Sequence, residues 1–203
     1  MADLTTVARV KRELMITKYE SGTLTVNTAD DDLLALKVTE ATQLFESDAR
    51  MSFTGANGTL TFDITAPYVY GRTLFLRQPV LNVYELTTGD GTVIPSTGYR
   101  LLPLNISPKY ELELLNDYTW EVSTTNGVRG AITVAGTLGY CLAANVPADV
   151  TTAVTKLAAF LYQNRDNSES IIRLADGSME IPANAPDIVL RVLRNYARVQ
   201  VYA

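Results

Sequence analysis

The sequence predicts an α+β fold: a small bundle of about four helices, two N-terminal and two C-terminal, with an inserted antiparallel β-rich segment. Three observations lead there. Apolar residues recur at helical spacing over residues 4–50 and again over 147–197. Between them, over about 51–140, the pattern shortens to strict alternation and the residues change to Thr, Val, Ile, Tyr and Phe. Asn-Gly and Asp-Gly pairs punctuate that middle stretch, and connections so short join antiparallel strands. The 203 residues are read as one domain, the β-rich segment being an insertion between the helical parts.

Residues 4–14 read as a short amphipathic helix with Val7, Val10 and Leu14 on one face and Arg9, Lys11, Arg12 and Glu13 turned outward. Residues 17–28 interrupt it. Ser21-Gly22 signals a turn and Thr23-Leu24-Thr25-Val26 alternates, so a small hairpin is expected. Asp30, Asp31 and Asp32 supply N-cap carboxylates for a second helix, where Leu34, Val38, Ala41 and Phe45 form the stripe, Leu33 and Leu44 widen it, and Arg50 marks the end.

In the middle, Asn57-Gly58 precedes the alternating residues 59–64. Asp90-Gly91 separates residues 83–86 from 92–94, and Asn126-Gly127 separates 120–123 from 131–134. Glu111 and Glu113 alternate with Leu112 and Leu114, the pattern of a half-buried strand with its acids outward. Pro147 and Asp149 then open a long helix over about 146–167, striped by Val150, Val154, Leu157 and Leu161 with Ala153 and Ala158 beside them. Arg165 sits in its last turn, where a cation suits the dipole, and Asp166-Asn167-Ser168 ends it. Pro182 and Pro186 bracket a last helix carrying Ile188, Val189, Val192, Leu193 and Tyr196, expected to pack on the long one. Residues 198–203 alternate as if extended.

Composition narrows the chemistry. Hydrophobic residues make up 47% and charged residues 19%, an ordinary globular balance. The net charge is −5 with Lys and Arg scattered, which disfavours tight binding to DNA. Histidine is absent from the chain, so Ser-His-Asp and Cys-His arrangements and His-containing metal sites are excluded. The one cysteine, Cys141, lies in an apolar context and reads as an inert thiol; an intramolecular disulfide is impossible. Neither a GxxxxGK[ST] phosphate loop nor a GxGxxG turn is present. The Asp30–Asp32 run lacks the spacing and glycine of a calcium loop. No cofactor and no metal are expected. The N-terminus lacks the apolar run of a signal peptide and no stretch is long enough to span a membrane, so the chain is expected to be made and kept in a cytoplasm, without a membrane partner.

Two other readings stay open on the residues alone. A carboxylate-pair glycosidase needs only two acids across a sugar, and the chain has 22 Asp and Glu. Tyr68, Tyr70, Tyr84, Tyr99, Tyr110, Tyr118 and Trp120 suit either strand packing and subunit contact or a carbohydrate-binding β-module.

The order of motifs resembles the bacteriophage head–tail connector family, the adaptor and head-completion proteins of long-tailed phages. The most specific run is Pro147-Ala148-Asp149, then Ala153, Leu157-Ala158-Ala159 and Tyr162-Gln163-Asn164-Arg165. Supporting it are residues 4–14, the Asp30-Asp31-Asp32-Leu33-Leu34 helix start, and residues 74–80 leading into a strand. The Gly89-Asp90-Gly91-Thr92 turn, Tyr99-Arg100-Leu101, residues 136–140 and Asn195-Tyr196-Ala197-Arg198 complete the set. The chain departs from the pattern by about ten extra residues around 19–27, where the family has a short turn, and by Ser47-Asp48-Ala49-Arg50-Met51 in place of an aromatic and basic helix end.

The resemblance implies a non-enzymatic structural virion protein, assembled in the host cytoplasm and located in the head–tail neck. There it forms a homo-oligomeric ring, commonly a dodecamer, beneath the portal protein. Such a ring extends the channel for double-stranded DNA without sequence-specific binding and docks the stopper or tail proteins, with roles in genome packaging and ejection. A tail-completion or stopper neck protein is the nearest alternative. Candidate subunit or portal contacts are Tyr162, Arg165, Tyr196, Arg198, Val199, Val201 and Tyr202, the last four as a docking strand.

Overall fold

The computed structural model describes residues 2–15, 17–20, 23–26, 28–165, 172–173, 179–182 and 184–197. Contacts divide the chain into two compact units, the described residues of Met1–Arg50 with Ala144–Arg198, and Met51–Ala143.

The first unit holds the four α-helices found among the described residues: α1 (Val7–Glu13), α2 (Asp31–Ala49), α3 (Ala148–Gln163) and α4 (Asp187–Tyr196). Thr6 caps α1, its hydroxyl accepting from the Arg9 N–H. Arg50 ends α2 in the left-handed region, φ 55°, and its N–H closes back on the Glu46 and Ser47 carbonyls. Helix α3 packs on α1, α2 and α4 alike. Its expected stripe of Val150, Val154, Leu157 and Leu161 is buried, and so are Thr151, Thr155, Ala159 and Tyr162 on its flanks. Alanine and threonine on those flanks let three neighbours approach one helix. Opposite lie Leu34, Val38, Ala41, Leu44 and Phe45 of α2, and Val189 and Val192 of α4. The Thr5 and Thr155 hydroxyls meet at 2.6 Å, so the buried polar atoms between the chain start and α3 satisfy each other.

Between α1 and α2 the chain forms the expected hairpin, with β1 (Thr17–Glu20) antiparallel to β2 (Thr23–Val26) and Thr17 opposite Val26. The Ser21-Gly22 turn lies outside the described residues. A small pair follows α3, where β9 (Ile172–Arg173) meets β10 (Met179–Glu180) and β10 leans on α2.

The second unit is a six-stranded antiparallel sheet in the order β3-β8-β5-β7-β6, with β4 paired to β5 off that path. Its strands are β3 (Ala56–Phe62), β4 (Val69–Tyr70), β5 (Thr73–Thr87), β6 (Tyr99–Leu102), β7 (Lys109–Leu114) and β8 (Ile132–Leu138). Phe62, Leu74, Leu76, Leu86, Leu112, Leu114, Ile132 and Val134 form its core, and Tyr68, Tyr99, Tyr118 and Trp120 pack against it. Leu112 and Leu114 are buried between the half-buried Glu111 and Glu113, as their alternation predicts.

Several local expectations are corrected. Asn57-Gly58 is not a turn: both residues lie inside β3, opposite Thr137 and Gly136 of β8. Pairing along seven residues outweighs the local turn preference. Residues 74–80 do not lead into a strand but belong to β5, and Pro79 is tolerated there because the β5–β7 register shifts between Phe75 and Val80. Residues 120–123 form no strand; Asn126-Gly127 closes only a small turn held by Ser123 and Gly127. The Asp90-Gly91 turn is present, bridged by Thr87 and Val93. Lys11 is not turned outward but buried. Asp30 takes the N-cap position of α2 without a side-chain capping bond, because its carboxylate is engaged elsewhere.

Candidate functional site

Of the candidate residues, Tyr162 and Arg165 lie where the start of α2 meets the ends of α1 and α3, and Tyr196 lies at the other end of α3. Tyr162, on the last turn of α3, is 7% exposed. Its hydroxyl donates to Asp30 Oδ2 at 2.6 Å, a charge-assisted bond that replaces the cap expected of Asp30. That bond raises the phenol above its ordinary value, with desolvation adding in the same direction. Arg165 follows the helix end. Its Nη1 donates to the Tyr162 carbonyl at 3.1 Å, and its guanidinium lies 4.6 Å from the Tyr162 ring centre. The cation therefore reads the negative end of α3 and the ring face together. Tyr196, at the end of α4, donates to both Asp149 oxygens at 3.1 and 3.2 Å and ties α4 to the first turn of α3. Arg198, Val199, Val201 and Tyr202 lie outside the described residues.

Sequence reasoning missed Lys11. Its ammonium pairs with Asp31, the side chains being 6% and 40% exposed respectively. A signal existed: positions 7, 10, 11 and 14 together follow the i, i+3, i+4, i+7 pattern, which places Lys11 on the apolar stripe. Tyr162 to Asp30 and Lys11 to Asp31 thus join three helices at the root of the β1–β2 hairpin. Lys156 to Glu13 at 2.5 Å adds a more exposed link between α3 and α1. Partners this distant in sequence carry no local pattern.

In the β unit the face opposite the core is hydroxyl-rich. Asn57, Thr59 and Thr61 of β3 lie beside Thr137, Ala135 and Thr133 of β8, which in turn face Asn82, Glu85 and Thr87 of β5. Tyr84, 59% exposed, donates to Asn57 Oδ1 at 3.2 Å and shares a close hydrogen bond with Thr137. At the loop after β6, Leu104 and Ile106 are each 61% exposed, while Lys109 Nζ donates to the Pro103 and Leu104 carbonyls at 2.5 and 2.8 Å. The tip is pinned from below and apolar at its surface, a form suited to protein contact. Of the aromatics, Tyr70 and Tyr84 are exposed, and Tyr70 stands edge-on to Phe75 at 5.8 Å. Arg77 covers the Tyr68 ring at 4.3 Å.

The turn at residues 88–92 is closed by Asp90. It accepts from the Thr88 hydroxyl at 2.5 Å, the Thr92 hydroxyl at 2.6 Å and the Thr92 N–H at 3.0 Å. These bonds hold its carboxyl at about 2. Cys141 is half-buried, and burial pushes its thiol up, away from a reactive thiolate. Among the described residues no group of three or more His, Cys, Asp and Glu is placed to hold a metal ion. No described helix is long and apolar enough to cross a membrane.

No family model matches the chain, and no curated protein matches it. Solved structures do. A chain in the neck of an empty gene transfer agent particle, computed with C6 symmetry, is similar in fold at TM-score 0.62 and 21% identity, over 96% of this chain and 90% of that one. A chain in the neck of the native particle, computed with C12 symmetry, is similar at TM-score 0.58 and 21% identity, over 84% and 85%. A chain of the native gene transfer agent virion is similar at TM-score 0.61 and 22% identity, over 96% and 90%. The fold of the chain is therefore that of a neck component of a virion-like particle, where the connector resemblance in the sequence also points.

Proposed function

We propose that the chain is a structural neck protein of a tailed, phage-like particle, acting as a head–tail adaptor without enzymatic activity. The observation that carries this reading is the likeness of fold over nearly the whole length of both chains to a component of a particle neck. Neck structures of C6 and C12 symmetry favour a homo-oligomeric ring. In this role the ring sits beneath the portal, continues the DNA channel and receives the stopper or tail. The net charge of −5 suits a conduit, because like charge keeps a polyanion sliding instead of gripped.

The end of α3 is the contact proposed for a neighbouring subunit or the portal. Arg165 is exposed and presents guanidinium N–H groups beyond the one spent on Tyr162, while Tyr162, bonded to Asp30, holds the surface it stands on. Residues 198–203, with Arg198, Val199, Val201 and Tyr202, are proposed as a strand that adds to an edge of the portal or a neighbour. Removing residues 199–203 should leave helical content and melting unchanged and abolish incorporation into particles. Particles made without the protein should accumulate DNA-filled heads and free tails unjoined. Normal joining in its absence would overturn the adaptor reading.

A further inference from the structure

The β1–β2 hairpin and the six-stranded sheet each have one charged edge strand and one uncharged edge strand, whereas both strands of the β9–β10 pair carry a charge, Arg173 and Glu180. In the hairpin, β1 carries Lys18 and Glu20, whereas β2 reads Thr23-Leu24-Thr25-Val26. In the six-stranded sheet, the edge strand β6 carries Arg100, paired to Glu113 at 2.7 Å. The opposite edge is β3, Ala56–Phe62, seven residues without a charge or a proline. Alternate residues of β3 turn their N–H and C=O groups away from β8, and nothing among the described residues pairs with them. Charge, proline or a bulge normally blunts such an edge, and β3 has none of these.

The hairpin is incomplete in the complementary way. Its two strands pack chiefly on each other, and a two-stranded hairpin is marginal in water until a third strand joins it. Lys11 to Asp31 and Tyr162 to Asp30 fix the helices that precede and follow it in the chain. The two uncharged edges also share a pattern: Thr-Leu-Thr-Val in β2, and Thr59-Leu60-Thr61-Phe62 in β3. In β3 the threonines are exposed, Leu60 is half-buried and Phe62 is buried in the core.

We propose that β2 of one copy adds to the β3 edge of a second copy, extending its six-stranded sheet by the two strands of the hairpin. Threonines then continue the hydroxyl-rich face and Leu24 and Val26 continue the alternation of Leu60 and Phe62. Donor and acceptor are different surfaces, so the contact is head-to-tail, and repeated around an axis it closes a ring. The proposal deepens the adaptor reading and rests on its self-association.

The test traps the contact in the full-length chain. With Cys141→Ser as background, Thr25→Cys and Thr59→Cys are placed in separate preparations, one carrying a size tag, then mixed and oxidised. A mixed disulfide between the two sizes is expected, with far less from the exposed-turn control Thr92→Cys in place of Thr59→Cys. Thr23→Cys and Thr61→Cys extend the panel to cover register. Separately, Thr59→Lys places a charge on the edge and should weaken self-association at least tenfold, read by light scattering, with melting unchanged. Rings that persist in Thr59→Lys with no mixed disulfide would overturn this contact and leave the adaptor reading standing. A Thr59→Lys defect in incorporation without a mixed disulfide would assign the edge to an unlike partner and also overturn it. A disulfide formed only when both cysteines share one chain would do the same. A chain that neither self-associates nor cross-links would sink both.

Discussion

Replacing Asp31 by Asn and, separately, Lys11 by Met should have unequal consequences, although the two residues form one ion pair. Lys11 is 6% exposed at its side chain and Asp31 is 40% exposed. Asp31→Asn leaves an ammonium sealed in the bundle without its counter-charge. Breaking a buried pair this way costs about 3–5 kcal/mol, and the solvent reaching the carboxylate side brings the expected loss down to about 2 kcal/mol. The lost carboxylate in the first turn of α2 is included in that figure. Lys11→Met instead removes the buried charge and keeps an apolar stem, while the surviving carboxylate turns to water. Its cost is expected below about 1 kcal/mol. In a chain of this size, 2 kcal/mol corresponds to a melting shift of roughly 4–8 °C. Helical far-UV dichroism during denaturant unfolding reads the difference directly. The double variant should be more stable than Asp31→Asn alone, since it no longer holds an orphaned ammonium. Equal costs for the two single variants, or a double variant as poor as their sum, would refute the view that Lys11 is the sealed partner. The hairpin root depends on that view.

Other expectations follow from individual contacts. Tyr162→Phe removes the bond to Asp30 and should cost about 1 kcal/mol, seen in the same unfolding experiment. The folded phenol sits above its ordinary value of 10.0, so its stabilising share is complete below that pH and is lost as pH rises through the raised value. The Phe variant should therefore show less alkaline loss of stability than the wild type. Asp90 should titrate at about 2 by carboxyl NMR, and Thr88→Val should move it back toward the ordinary 3.8. The linked stability is present above 3.8 and disappears as pH falls toward about 2. Gly136→Ala would set a methyl 2.2 Å from the Asn82 carbonyl oxygen, between β8 and β5. A loss of about 2–3 kcal/mol is expected in the β unit, followed by fluorescence of the sole tryptophan, Trp120.

Periodicity made the long helix legible, because Val150, Val154, Leu157 and Leu161 all fall on its buried side. It made the acids of β7 legible for the same reason, Glu111 and Glu113 alternating with the inward Leu112 and Leu114. Turn chemistry was a weaker guide. Asp90-Gly91 behaves as its composition suggests because the Asp90 side chain itself closes the turn. Asn57-Gly58 does not, because Gly58 pairs with Gly136 across a long ladder and cooperative strand pairing prevails over a local preference. The long-range polar contacts of the helical unit were the least legible. Asp30 and Asp31 read as caps, yet one serves Tyr162, 132 residues away, and the other serves Lys11. Such pairs are created by helix packing, and their sequence separation leaves no period to detect. The uncharged edge of β3 was hidden for a related reason: its seven residues are visible, but its place at the sheet margin is set by the strand order.

The proposed role as a ring-forming component of a particle neck can be seen by symmetry-averaged electron microscopy of particles carrying a labelled copy. A closed ring of this chain is expected on the particle axis, between portal and tail. Label on a fibre or baseplate, or single copies off the axis, would contradict it.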